Sequence, residues 1–298
     1  MAIFFQVMLP VLLIFLCGYL LQRWQRLNLK AISSMSIYIL SPCLVFRTFY
    51  QADLNSQYLY MVLFSLLLLL TLIVVNKLYV KWRHFTPAEE SGLILSTAFM
   101  NSGNYGVPVV LFAYGEAGFH YAVSFMVLQS IIMNFFGVYY AARGRTGMRK
   151  AIGLVFQMPV IYAAILALLF QVFQIPFPAN FYGAIEMVAD ATIPVVMLLL
   201  GMQLAELKLN HLNWEKIGFG VLTRMILSPV LAALLLHFLP VDELLKKVLI
   251  VASAMPTAAT TTMYALQFEA EPDLVSGITL VTTLVSICTI SIVLWLLG

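Results

Sequence analysis

The sequence predicts an all-α polytopic membrane protein with ten transmembrane helices, arranged as two inverted repeats of five. Three observations support this prediction: an apolar composition, uncharged stretches long enough to cross a bilayer, and matching interruptions in two of those stretches. Hydrophobic residues make up 62% of the 298 residues and charged residues only 10%, whereas about 25% of the residues in soluble domains are charged. A soluble fold could not hide that much apolar surface, so the chain is predicted to lie in a membrane.

Turn signals divide the chain into ten spans, each near the ~20 apolar residues that cross the hydrocarbon. Examples of these turns are Thr86-Pro87 and Glu271-Pro272. The basic link at 142–150, ARGRTGMRK, separates a first five-helix repeat at 1–141 from a second one at 151–298. The predicted spans are 3–22, 31–50, 57–80, 88–114, 117–141, 151–174, 183–206, 214–239, 243–268 and 273–297.

The basic residues orient these spans. With ten spans, the loops after spans one, three, five, seven and nine share one side of the membrane. Three basic residues, Arg47, Lys246 and Lys247, belong to the opposite side. Because cytoplasmic loops are enriched in lysine and arginine, both termini are predicted to lie on the extracytoplasmic side of the cell membrane. The twelve on the cytoplasmic side are Arg23, Arg26, Lys30, Lys77, Lys81, Arg83, Arg143, Arg145, Arg149, Lys150, Lys208 and Lys216.

Five spans in each half mean that the second half enters the membrane upside down relative to the first. Weak internal similarities in the same order support such an inverted repeat. They pair FQVMLP at 5–10 with FQMP at 156–159, SPCLVF at 41–46 with IPVVML at 193–198, and STAFMNS at 96–102 with VASAMPT at 251–257.

Spans four and nine are both interrupted. Span four carries MNSGNYGVP at 100–108, inside an uncharged stretch, and span nine carries AMPTAATTTMYA at 254–265. Backbone groups freed by such residues are costly in lipid unless protein or a water-filled cavity satisfies them. Paired interruptions in two halves of a membrane chain point to the binding site of a transporter. If the broken helices cross, their half-helix N-termini would favour a carboxylate, in a neutral, dipolar site without a cation of its own.

Polar and helix-breaking residues at these positions are the candidate substrate-binding residues. Amides can donate hydrogen bonds to a carboxylate, and prolines free backbone groups. The alternative for each of them is helix packing, since asparagine, glutamine and threonine often bond within or between membrane helices. The candidates are Asn101, Asn104, Pro108, Gln129, Pro256 and Thr257.

Three charged residues within spans are candidates for coupling or gating. Arg224 is the single cation well inside a span, and charged side chains within a membrane often mark function. Its alternative is to snorkel toward the cytoplasmic interface. Glu186 and Asp190 lie one turn apart near the start of span seven, where the helix dipole tolerates acids and an interfacial role is the alternative.

No catalytic or metal-binding chemistry is visible in the sequence. The four histidines at 84, 120, 211 and 237 are scattered, without HExxH or the Cys/His spacing of a metal site. No Ser/His/Asp or G-x-S-x-G arrangement is present either. We therefore expect a protein that is not an enzyme and that has no cofactor and no metal.

The chain resembles the auxin efflux carrier family, which includes plant auxin exporters and bacterial organic-acid permeases. The resemblance rests on ten spans, on the N-x-x-x-x-G-x-P string formed by Asn101, Gly106 and Pro108, on the proline of span nine, and on LQSIIMNFF with Gln129. The short central link is similar to that of the bacterial members.

The resemblance implies that helices four and nine break and cross at Pro108 and Pro256. It also implies that Asn101 and Gln129 hold a substrate carboxylate near the crossing. The plant carriers place an asparagine beside the proline of helix six, where this chain has Met158-Pro159-Val160. Without that amide, a small organic acid is favoured over an indole acid.

These observations predict a secondary transporter that moves a small organic anion, such as a dicarboxylate or an auxin-like acid, by alternating access. The expected partners are this anion and the lipid bilayer, with a homodimer as one candidate assembly and no nucleic acid. A channel or membrane sensor with a transporter-like fold is the alternative. An intramembrane enzyme would need a nucleophile and base, or a metal, at one depth, and the sequence offers none.

Overall fold

The computed structural model describes residues 7–51, 56–142, 157–206 and 213–298. These ranges contain no β-strand, as expected for an all-α protein, and one isolated backbone bridge joins two chain segments. The helices are α1 (Leu9–Gln25), α2 (Leu29–Gln51), α3 (Ser56–Arg83), α4 (Pro87–Ala98), α5 (Ser102–Ala142), α6 (Pro159–Val172), α7 (Ala179–Glu206), α8 (Trp214–His237), α9 (Glu243–Ser253), α10 (Ala259–Phe268) and α11 (Pro272–Leu297).

Six of the described helices are long and apolar enough to cross a membrane: α2, α3, α5, α7, α8 and α11. Two more, α1 and α6, are apolar but shorter, and predicted spans four and nine are each divided into two pieces. The helix α5 continues from span four into span five and changes direction at Gly115, whose φ is 64°. A glycine tolerates this left-handed backbone. The basic link at 142–150 and the beginning of span six lie almost wholly outside the described residues, as do Lys208 and His211.

Helix starts are fixed by capping residues at the predicted turns. Thr86 and Glu89 form a capping box before α4, with Pro87 in the first turn. Asn213 caps α8 and Asp242 caps α9, each through its side-chain oxygen. Such oxygens satisfy backbone N–H groups that have no partner within the helix.

Three wide π-turns each end two residues before a proline, whereas a further π-turn in α5, Met133–Gly137, has no proline after it. A proline has no N–H to donate, and its ring crowds the carbonyl four residues earlier. The wider turn makes room for the proline ring, so the helix continues through the proline. The pairs are Ser36–Leu40 with Pro42, Ser102–Gly106 with Pro108, and Thr223–Leu227 with Pro229.

The helices α1, α2, α6 and α7 pack on one another, and we call them the panel. Within the panel, α1 and α7 touch backbone to backbone at two glycines. A Cβ atom on Gly18 would lie 2.1 Å from the Leu198 carbonyl oxygen, and one on Gly201 would lie 1.9 Å from that of Phe15. Small residues permit this close approach in membrane helices.

Charged side chains gather at helix ends. Arg83 at the end of α3 pairs with Glu215 at the start of α8, 2.6 Å apart. Lys216 in the same turn of α8 pairs with Glu89 near the start of α4. These pairs join three helices at one end of the protein. Arg224 differs from these charged residues, because it is fully buried in the middle of a helix.

Candidate functional site at the crossing of the two interrupted helices

The two interruptions lie against each other as short antiparallel segments. The Asn101 N–H donates to the Pro256 carbonyl at 2.8 Å, and the Ala258 N–H donates to the Phe99 carbonyl at 3.1 Å. Between these bonds, Met100 and Thr257 form the isolated bridge. Backbone groups that each helix gives up at its break therefore find partners in the other break, which meets the requirement for buried backbone at membrane depth.

The first interruption lies at Phe99–Asn101, not at Pro108 as the family resemblance implies. Pro108 is buried inside α5, and the preceding π-turn Ser102–Gly106 accommodates it. Pro256 does lie within the second interruption, between α9 and α10. The position of Pro108 is corrected for this reason: a proline near the start of a helix can be absorbed without ending it.

The Asn101 side chain is buried, with 6% of its surface exposed. Its amide makes no hydrogen bond to any residue in the ranges that the structure describes. Gln129 on α5 is 5% exposed, and its amide is likewise without a partner among those residues. Residues on either side of Gln129 along α5 lie close to the first interruption. A Cβ added to Gly103 would lie 3.2 Å from the Met126 sulfur, and a Cβ added to Gly137 would lie 3.6 Å from the Phe99 ring. The two amides thus belong to neighbouring segments at the crossing.

The remaining substrate-binding candidates have different surroundings. Thr257 is fully buried, donates to the Ser96 carbonyl at 2.6 Å and lies 3.3 Å from the Thr282 hydroxyl, so its hydroxyl holds the two breaks together. Asn104 is half-buried in the first turn of α5. Asn134, on the same helix as Gln129, accepts from the Tyr264 hydroxyl at 2.8 Å and serves helix packing.

A row of hydroxyls on α11 lies against both broken helices, and no sequence pattern marks it. Ser286 donates to the Tyr105 hydroxyl at 3.0 Å, and Thr279 lies 3.4 Å from Thr262 on α10. All four of these hydroxyls also bond back to carbonyls of α11, as threonines in membrane helices commonly do. The row consists of Thr279, Thr282, Thr283 and Ser286.

Arg224 does not snorkel toward an interface, since none of its surface is exposed. One terminal guanidinium nitrogen donates to the Thr97 carbonyl at 2.8 Å, and the other donates to the Ser253 carbonyl. Thr97 lies in the last turn of α4 and Ser253 is the last residue of α9. Ser228 donates to the same Ser253 carbonyl at 2.9 Å. Arg224 therefore bonds the C-terminal ends of both half-helices that enter the crossing.

This cation changes the electrostatics expected from the sequence, which treated the site as neutral and dipolar. Each helix end carries a charge of about half a unit, negative at the C-terminus and positive at the N-terminus. The guanidinium balances the two C-terminal ends, whereas the N-terminal ends of α5 and α10 have no charged side-chain partner within the described ranges. No carboxylate of those ranges bonds Arg224. The crossing therefore has a net positive character.

Glu186 and Asp190 are not brought to the crossing. Asp190 pairs with Arg47 on α2, and its side chain is 71% exposed. Glu186 is one turn earlier on α7. Both acids lie in the first half of α7, and their interfacial role stays a prediction.

The chain is similar to known membrane transport proteins. The model of a family described as membrane transport protein matches residues 3–151 and 145–294. An uncharacterized transporter of Methanocaldococcus jannaschii is 28% identical over 306 residues, covering 98% of each chain. An uncharacterized transporter of Methanothermobacter thermautotrophicus is 26% identical over 298 residues, covering 97% of this chain and 96% of the relative. Together with the apolar helices and their crossing, these matches show that the chain is a multi-pass membrane protein that belongs to the auxin efflux carrier-like membrane transport family.

Proposed function

We propose that this protein is a secondary transporter that moves a small organic anion across the cell membrane by alternating access. The observation that carries the proposal is the charge of the crossing. Arg224 occupies the C-terminal ends of the half-helices, and the N-terminal ends leave a positive region in a low-dielectric environment. Helix N-termini favour anions such as carboxylates, so the crossing suits a carboxylate better than a cation or a neutral solute.

Asn101 and Gln129 are the proposed carboxylate-binding side chains. Both are buried and have amide groups without partners in the described ranges, and amide N–H groups donate readily to a carboxylate. Asn104 extends this polar surface along α5. Pro256 and Thr257 contribute by shaping the break, and Pro108 contributes through the π-turn that precedes it. A dicarboxylate or an auxin-like acid would meet the requirement.

The packing of the helices supports ten spans in two inverted repeats. Such a repeat relates each span to the one five places later, so contact of spans one and seven requires contact of spans six and two. The structure has both contacts, as α1 with α7 and α2 with α6. Span three also packs on span eight, and span four crosses span nine. The symmetry that exchanges the two repeats also exchanges the two members of each of these pairs, so both contacts are consistent with it.

Alternating access would move the panel against the rest of the protein. The start of α5 is contacted by α7, and the ring of Phe15 on α1 lies 5.0 Å from that of Tyr105. The candidate site is therefore beside the boundary between the panel and the crossing. Sliding along this boundary would expose the site first to one side of the membrane and then to the other, as proposed for transporters built from repeats.

Transport assays with reconstituted protein test this function. We expect saturable carboxylate flux with counterflow, and an inside-negative potential should favour net efflux of the anion. Moving one negative charge outward across ~100 mV gains ~2.3 kcal/mol. Flux measured at imposed potassium diffusion potentials would show this dependence. Flux that does not saturate would favour a channel, and flux that ignores the potential would favour an electroneutral carrier.

The orientation is tested separately by reporter fusions. On the charge asymmetry of the loops, both termini should be extracytoplasmic and the link at 142–150 cytoplasmic. A reporter that is active only in the cytoplasm should be active when inserted at Gly147 and inactive when fused after Gly298. A C-terminus on the same side as the link would contradict ten spans and the inverted repeat.

A further inference from the structure

Arg224 has a position that cations take in other transporters. In transporters with interrupted helices, the C-terminal ends of half-helices and the unwound carbonyls beside them coordinate the coupling Na⁺ or H⁺. Here the corresponding carbonyls, those of Thr97 and Ser253, accept hydrogen bonds from the two terminal nitrogens of one guanidinium. The carbonyls that could hold a metal cation are therefore already bonded to a side chain.

The charges at this position balance. Each half-helix C-terminus carries about half a negative charge, so the two ends together match the single positive charge of Arg224. A buried charge is strongly unfavourable unless it is paired and hydrogen-bonded. The guanidinium has 0% exposure, and no carboxylate among the described residues bonds it. The helix ends are thus the counter-charge that allows an arginine to be buried there.

The shape of the side chain also fits this role. A planar guanidinium presents several donors in a fixed fork, whereas a lysine ammonium is a compact point charge. The fork reaches α4 in the first half of the chain and α9 in the second half, from a position on α8. Ser228, one turn after Arg224, donates to the Ser253 carbonyl and accepts from Arg224. One side chain therefore connects three helices at the crossing.

We infer that Arg224 is a built-in cation: it takes the place of a coupling cation at the half-helix C-termini, so the crossing stays assembled and accepts an anion without bound Na⁺. Arg224 is a positioning residue, because it contacts the ends of the half-helices and not the proposed carboxylate-binding amides. The part of the inference that concerns anion transport rests on the proposed function. The part that concerns assembly of the crossing does not.

Thermal unfolding of the purified full chain tests the assembly part. Wild-type protein, Arg224→Gln and the control Arg47→Gln are compared in sodium, potassium and choline chloride at equal ionic strength. Arg47 is a suitable control because it is also a mostly covered arginine, 16% exposed, but its partner is the carboxylate of Asp190, 71% exposed, and not a half-helix end. For the wild type and for Arg47→Gln, we expect the melting temperature of each protein to be the same in all three salts. Arg224→Gln should melt several degrees lower in choline and recover on addition of sodium or millimolar guanidinium.

Three outcomes would overturn the inference. One is an Arg224→Gln protein that melts like the wild type. Another is a destabilised variant that neither sodium nor guanidinium restores, because Arg224 would then be an ordinary packing residue. The third is a wild type that sodium stabilises specifically over choline and potassium, which would place a cation site beside the arginine. This last comparison needs no variant, so it decides the question even if Arg224→Gln fails to fold. Arg224→Lys, which keeps the charge but not the fork, should melt between wild type and Arg224→Gln.

Transport separates this inference from the proposed function. Wild-type protein in vesicles should carry a carboxylate at the same rate in sodium as in choline. A strict sodium requirement would overturn the built-in cation and leave anion transport standing. If no carboxylate were transported in either salt, the proposed function would fail, while a wild-type melting temperature that is equal in all salts would still support the assembly part.

Discussion

Replacing Gly201 by alanine is expected to separate α1 from α7 and to lower the stability of the protein markedly. The new Cβ would lie 1.9 Å from the Phe15 carbonyl oxygen, and this neighbour is backbone that cannot rotate away. Overpacking of a well-packed interior commonly costs ~1–3 kcal/mol, and a backbone clash belongs at the upper end. The melting temperature of the purified variant measures the loss.

Gly183→Ala is the matched control, because Gly183 is on the same helix and a Cβ there would meet no atom within 4 Å. It should leave stability unchanged or raise it slightly, since alanine is the better helix former. Gly18→Ala, with its new Cβ 2.1 Å from the Leu198 carbonyl, should reproduce the Gly201→Ala loss. If the Gly201→Ala and Gly183→Ala variants had the same melting temperature, the close contact of α1 and α7 would not exist in the membrane protein.

The two interruptions could be predicted from the sequence, whereas their crossing was implied by the family resemblance. Glycines, prolines and amides within an uncharged span free backbone groups, and lipid offers those groups no partner. A second interruption in the other half supplies the partners, as the bonds between Asn101 and Pro256 and between Ala258 and Phe99 show. Composition and spacing therefore predict two matching breaks, and the need of each break for hydrogen-bond partners explains why they meet in the structure.

The position of the first break could not be read in the same way. Several residues between 100 and 108 weaken a helix, and Pro108 is the strongest breaker among them. The structure resolves the conflict at Pro108 with a π-turn and opens the chain earlier, at Phe99–Asn101. Pro42 and Pro229 are absorbed similarly. Whether a proline ends a helix or widens one turn depends on tertiary packing, which a single sequence does not reveal.

The environment of Arg224 was hidden for a different reason. Its partners are the backbone carbonyls of Thr97 and Ser253, which are 127 and 29 residues away along the chain. Every residue offers a carbonyl, so no side-chain pattern marks these partners. The only local signal is Ser228, four residues after the arginine and therefore on the same helix face. An arginine at the centre of a span with a serine one turn later is compatible with snorkelling as well as with burial.

The Asn101→Ala variant should bind its organic anion roughly 10- to 150-fold more weakly than the wild type. A hydrogen bond to a charged group contributes about 1.5–3 kcal/mol, and each 1.4 kcal/mol is about tenfold in affinity. Stability without ligand should change little, because the Asn101 amide bonds no other residue in the described ranges. Its backbone N–H, which donates to Pro256, is retained in alanine. Affinity and melting temperature should be measured on the same preparation.

Asn76→Ala provides the contrast, because the Asn76 amide is fully buried and donates to the Thr97 hydroxyl at 2.7 Å. Loss of this interhelical bond should lower the melting temperature and leave the affinity for the anion close to that of the wild type. If Asn101 served packing instead of binding, its alanine variant would behave in the same way as Asn76→Ala. A destabilised Asn101→Ala protein with unchanged affinity would remove Asn101 from the site, whereas a stable protein with weakened binding would place the carboxylate at the crossing.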